Sequence, residues 1–119
     1  MKMKLRLLLI LLIISINSVK SNAQDTKVII AGIEKQTKLM IDQVNQSKLA
    51  WANDSRNKGK AEPVSPRTLS KEGSLVMVPA KDWTSGFFPG ELWYLYEFTK
   101  KIEWKVLAQK FTANIEDEK

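Results

Sequence analysis

Cysteine is absent from the chain. Its absence excludes a disulfide framework and any lipid anchor attached through a cysteine, and it leaves stability to apolar packing. Long hydrophobic runs are lacking too. The one unbroken apolar stretch, Leu7 to Ile14, falls far short of the about twenty residues that a membrane-spanning helix needs. A stable membrane anchor is therefore not expected. A pronounced charge of one sign is also missing, once its location is considered. Nineteen Lys and Arg face thirteen Asp and Glu, but Lys2, Lys4, Arg6 and Lys20 all lie in the first twenty-three residues, which hold no acid. The remainder carries fifteen basic and thirteen acidic side chains, a net of +2, with no basic stripe on a helix face. Nucleic acid is not an expected partner.

What is present begins with a leader pattern. Met1 to Arg6 is positively charged, the apolar run follows, and Ser21 and Ala23 occupy the −3 and −1 positions before Gln24. This is the arrangement of a cleaved secretory signal, so residues 1–23 read as a leader and the mature segment as starting near Gln24. The protein is expected to be exported, to a periplasm or the exterior. The length of 119 residues leaves room for one small domain at most.

Past the leader, Asp25 or Thr26 is placed to cap a helix. Ile30, Ile33, Thr37, Met40, Ile41 and Val44 recur at helical spacing, with Lys35, Lys38, Asp42 and Gln43 opposite, and the pattern runs to about Lys48 or Trp51. It stops from Ala52 to Lys81, where Pro63, Pro66 and Pro79 each bias the preceding residue away from helix. Such a length predicts a structured loop that approaches a functional face, with a short extended piece at Leu75 to Val78. Arg67 stands out here, stiffened by Pro66, and reads as one half of a surface ion pair.

Eight of the ten aromatic residues then fall between Trp83 and Trp104. Trp83 and Phe87 precede the expected helix start near Phe88 to Gly90, so helical packing does not dispose of them. They are the candidate binding residues, in a turn that presents aromatics and runs into a core helix. Asp82 reads as holding that turn through backbone hydrogen bonds. Glu91 reads as a first-turn carboxylate favoured by the helix dipole. Trp93, Tyr94, Tyr96, Phe98 and Trp104 read as core. The four aromatics from Trp93 to Phe98 nevertheless point around most of the helix, more than one partner helix covers. A third helix from about Ile102 to Ile115 has Trp104, Leu107, Ala108, Phe111 and Ile115 on one stripe, and its short connection predicts a helical hairpin. The expected class is all-α, as part of a larger helical protein.

The run Asp82-Trp83-Thr84-Ser85-Gly86-Phe87-Phe88-Pro89-Gly90, continued by Leu92-Trp93-Tyr94-Leu95-Tyr96-Glu97, resembles the unsaturated glucuronyl hydrolases (glycoside hydrolase family 88). Pro66-Arg67-Thr68 upstream, and Trp104, Ala108 and Phe111-Thr112 downstream, agree with the opening segment of that family. The resemblance implies an (α/α)6 barrel of six helical hairpins, several times longer than this chain, with residues 24–119 as its N-terminal portion. It implies action on lyase-derived oligosaccharides that end in a 4,5-unsaturated uronic acid. The chemistry implied is hydration of the C4=C5 double bond by an aspartic acid, with no metal or organic cofactor. The family's two aspartates are expected beyond the matching stretch, and no Asp-Leu/Ile-Gly-Phe-like motif occurs in these residues. The resemblance therefore implies no catalytic residue here and no activity for the chain alone, while Trp83 and Phe87 match aromatics of the sugar subsite. The other reading of the residues is a non-catalytic exported helical module that binds carbohydrate or protein through the aromatic turn.

Overall fold

The computed structural model of the chain describes the backbone of residues 2–116 and the side chains of residues 25–116. The expected leader thus lies outside the residues with described side chains. The chain divides into two compact units, Met1–Ile33 and Glu34–Lys119.

The first unit belongs to α1, a helix that spans Lys2–Asn53. Its start differs from the expected one at Asp25 or Thr26. No glycine or proline interrupts the chain before Gly32, and the apolar run is itself rich in leucine, so nothing in the uncleaved sequence obliges a helix to begin at Asp25. Among the described residues no helix is long and apolar enough to cross a membrane.

The second unit contains the rest of α1, the 3-10 turn Ser55–Asn57, strands β1 (Pro63–Leu69) and β2 (Leu75–Pro79), and helices α2 (Phe87–Thr99) and α3 (Ile102–Glu116). Its core is built from Val44 of α1, Phe88, Leu92 and Leu95 of α2, and Trp104, Ala108 and Phe111 of α3. In α2 and α3 these residues are spaced four and three apart, which turns one stripe of each helix into the core. Phe88 and Phe111 meet edge to face at 4.9 Å. The indole of Trp93 donates to Thr112 Oγ1 at 3.1 Å and ties α2 to α3.

Only Lys100 and Lys101 separate these two helices. Lys100 adopts the left-handed conformation at φ 56° and its N–H returns to the Tyr96 carbonyl at 2.7 Å. This closes α2 with the geometry that glycine more often supplies. The hairpin is clamped to α1 by charge. Glu34 accepts both oxygens' worth of contact from Lys101 Nζ, at 2.7 and 2.8 Å, and also the indole N–H of the fully buried Trp104 at 2.6 Å. Lys38 pairs with Glu103 at 3.2 Å and lies over the Trp104 ring.

The fold is mostly helical, but the all-α expectation needs one correction. β1 and β2 form an antiparallel hairpin, from Pro63 opposite Pro79 to Leu69 opposite Leu75. The prolines that bias their neighbours away from helix are compatible with strands, because a two-stranded ribbon has free edges and proline favours extended neighbours. Gly73, at φ 82°, makes the turn, and Ser70 Oγ accepts from the backbone N–H of Glu72 and Ser74.

Two aromatic placements also differ from expectation. Trp104 is buried and Trp93 and Tyr96 are half-buried, but Tyr94 and Phe98 are 69% and 70% exposed. They sit on the side of α2 that faces neither α1 nor α3, where the residues described here offer no cover.

Candidate functional site

The aromatic turn is positioned by short-range polar contacts. Asp82 donates its N–H to the Pro79 carbonyl at 3.1 Å, and its own carbonyl accepts from Ser85 N–H at 2.9 Å. The Asp82 carboxylate accepts from the Thr84 N–H at 2.8 Å and from the Thr84 hydroxyl. These bonds hold the Asp82 carboxyl below the usual aspartate range, with a smaller contribution from the Arg67 charge. Arg67 Nη1 lies 3.5 Å from Asp82 Oδ2, so the surface ion pair forms as expected. The turn is also stitched to the hairpin from below. Buried Ser65 donates its hydroxyl to the Ser85 carbonyl at 2.8 Å, and the Ser85 hydroxyl donates to the Ala80 carbonyl at 2.8 Å.

On this support the two candidate aromatics come together. Trp83 is 78% exposed and Phe87 is 65% exposed. Their rings meet edge to face, with centroids 5.5 Å apart and planes at 87°. The contact satisfies the preferred geometry of an aromatic pair while leaving a broad face of each ring to solvent. Phe87 is the first residue of α2 rather than a residue before it. Pro89 and Gly90 lie within the helix; Pro89 falls in its first turn, where backbone N–H groups have no intrahelical partner to lose. The start therefore comes one residue earlier than the turn-forming residues suggested.

Phe87 also forms one wall of a groove of about 630 Å³. Gln36, Leu39, Met40 and Gln43 of α1 make a second wall, and Arg67, Leu69 and Leu75 of the hairpin a third. Glu91 stands at the α2 side and accepts the Thr37 hydroxyl at 2.8 Å. Glu91 is not in the first turn of α2, so the dipole does not account for its position; the Thr37 bond does. Asp82 and Glu91 are engaged by different neighbours, Thr84 and Thr37. Among the described residues, no group of three or more potential ligands comes close enough to hold a metal ion.

The groove joins residues from the stretches 36–43, 66–75 and 87–91. Trp83 and Phe87 were conspicuous in the sequence by their place ahead of a core helix. Gln43 gives no such signal, because it reads as part of the solvated side of an amphipathic helix. Arg67 was noticed, but its position on the groove depends on a hairpin turn that periodicity does not reveal.

Over 55 residues, 45% of this chain, the sequence is 51% identical to an unsaturated glucuronyl hydrolase of Formosa agariphila. The match covers 14% of that protein, so the chain spans a small part of the relative's length. No family model matches the chain, and no solved structure does.

Proposed function

We propose that this chain is the N-terminal part of an exported unsaturated glucuronyl hydrolase, and that Trp83 and Phe87 form part of its sugar subsite. The observation that carries the reading is the exposed edge-to-face pair of Trp83 and Phe87, set on a rigid turn beside a groove. The partial likeness to a protein of that name supports it. Sugar rings have apolar C–H faces, and exposed aromatic planes held in place are suitable surfaces for them.

In this reading the whole protein is an (α/α)6 barrel, and α2 with α3 is one of its helical hairpins. The substrate is an oligosaccharide left by a polysaccharide lyase, with a 4,5-unsaturated uronic acid at its non-reducing end. A proton is added at C4 and a water oxygen at C5; the hemiketal so formed rearranges and the glycosidic bond breaks. The acid for that step lies outside this chain. Asp82 is unsuited to it, since the Thr84 bonds and Arg67 favour its ionised form and a general acid must hold its proton near the working pH. The contribution of this segment is to bind and orient, and the chain alone is inactive.

The test compares two disaccharides that differ only at C4–C5, using a longer protein that contains this chain. Cleavage of the unsaturated compound with no cleavage of its saturated counterpart is expected, because hydration needs the double bond. Equal cleavage of both would point to direct glycosidic displacement and overturn the proposal.

A further inference from the structure

We propose that Arg67 recognises the carboxylate of a uronic acid seated in the groove against Phe87, a role that rests on the sugar-binding reading of the aromatic turn. The chain has three arginines, and two have described side chains. Arg56 is tied to its own acid: its Nε, Nη2 and backbone N–H make four hydrogen bonds to the Asp54 carboxylate, at 2.6 to 3.1 Å. Arg67 is the opposite case. Its nearest acid, Asp82, is 3.5 Å away, and no hydrogen bond is made by its guanidinium among the described residues. Asp82 meanwhile spends one carboxylate oxygen on Thr84, through both the N–H and the hydroxyl.

The Arg67 side chain is thus 48% exposed, lies on a groove wall, and among the described residues makes no hydrogen bond with its fork of donors beyond the 3.5 Å ion-pair contact to Asp82. A planar fork of this kind matches a carboxylate in bidentate fashion. The surrounding groove fits the rest of such a ligand. Its volume of about 630 Å³ is in the range that holds a small organic molecule. Leu39, Met40 and Phe87 offer apolar surface to the C–H face of a sugar ring, and Gln36 and Gln43 offer amide groups to its hydroxyls. Glu91, the one acid on the groove, is turned to Thr37 and does not compete for Arg67. An acidic sugar is the occupant that uses all three features. A neutral sugar would leave the guanidinium's free donors idle, and an apolar helix would bury them with only the 3.5 Å contact to Asp82 in compensation, which is costly.

The pair with Asp82 adds selectivity by geometry. Arg67 lies on β1, Asp82 and Trp83 lie on the turn, and Phe87 begins α2 directly after it. Ligand carboxylate and ligand ring are therefore read at neighbouring positions, the charge at one end and the aromatic plane at the other.

The test is a titration of the present chain, followed by the NMR signals of the Arg67 Nε–H and the Trp83 indole N–H. The probes are a 4,5-unsaturated uronyl disaccharide and the methyl ester of the same compound. The acid is expected to shift both signals, and the ester to bind about tenfold or more weakly and leave Arg67 unshifted. Arg67→Ala is expected to remove the preference for the acid, while Arg67→Lys retains part of it. Should Arg67→Ala fail to fold, the comparison of acid with ester on the unaltered chain decides alone. If acid and ester bind equally and shift only Trp83, the role of Arg67 is overturned and the sugar platform stands. If neither probe shifts Trp83, the platform falls and the Arg67 proposal with it.

Discussion

At the scale of single residues, what a side chain does here follows from which donors and acceptors reach it. Glu34 is the clearest case. Its side chain is 13% exposed, and the Lys101 and Trp104 hydrogen bonds hold its carboxyl below the usual glutamate range. A lowered folded-state value means that the stabilisation is fully present above the unfolded value, about 4.3, and is lost as pH falls through the lower folded one. Glu34→Gln should therefore destabilise at neutral pH, and the difference from the parent sequence should shrink below about pH 4. Glu34→Ala should cost about 1–3 kcal/mol at pH 7, because it strands the buried Trp104 N–H. Urea midpoints at pH 7 and pH 3.5 or thereabouts measure both effects; a pH-independent difference would contradict the assignment. Trp83 makes a contrasting prediction, since it supports nothing above it. In an active longer protein, Trp83→Ala should lower kcat/KM about tenfold or more with an unaltered thermal midpoint. Unchanged kinetics would remove Trp83 from the subsite. Both roles of Asp82 and Arg67, turn and ion pair, could be read from the residues alone because each depends on neighbours close in sequence or on charge. The mutual contact of Trp83 and Phe87 could not, since it depends on where α2 begins.

Among elements, the helices were the legible part. The stripe of α3 matches its buried face at Trp104, Ala108 and Phe111, because a 3.6-residue period survives any detail of the partner. The β-hairpin was the illegible part. Five residues of β2 were nearly recovered from Leu75 to Val78, but β1 was hidden by Pro63 and Pro66 and by two register shifts that break its alternation. Helix α2 carries the sharpest consequence. Tyr94 and Phe98 are four residues apart and both exposed, so they share one uncovered face. In the present chain, Tyr94→Lys and Phe98→Glu should each change stability by no more than about 0.5 kcal/mol and should reduce self-association in light scattering. In a longer protein with a helix laid on that face, the same changes should cost several-fold more, as burial of a charge requires. Equal, small effects in both would argue that no further helix packs there.

For the whole molecule, the groove is the feature that sequence reading could not assemble. It needs α1 residues from Gln36 to Gln43, the hairpin around Arg67, and the opening of α2 to meet across some fifty positions of chain. No local pattern encodes that meeting; it follows from the Val44, Leu92 and Trp104 core that brings the elements together. The match covers 14% of the length of the glucuronyl hydrolase to which the chain is partly similar, so the proposed activity belongs to a longer protein. The most direct test follows the absorbance of the unsaturated uronate when lyase-derived disaccharides meet a longer protein containing this chain, and then the chain alone. The longer protein should bleach that band for at least one disaccharide, and the 119-residue chain should leave it unchanged. A band that persists with every disaccharide in the presence of the longer protein would contradict the account.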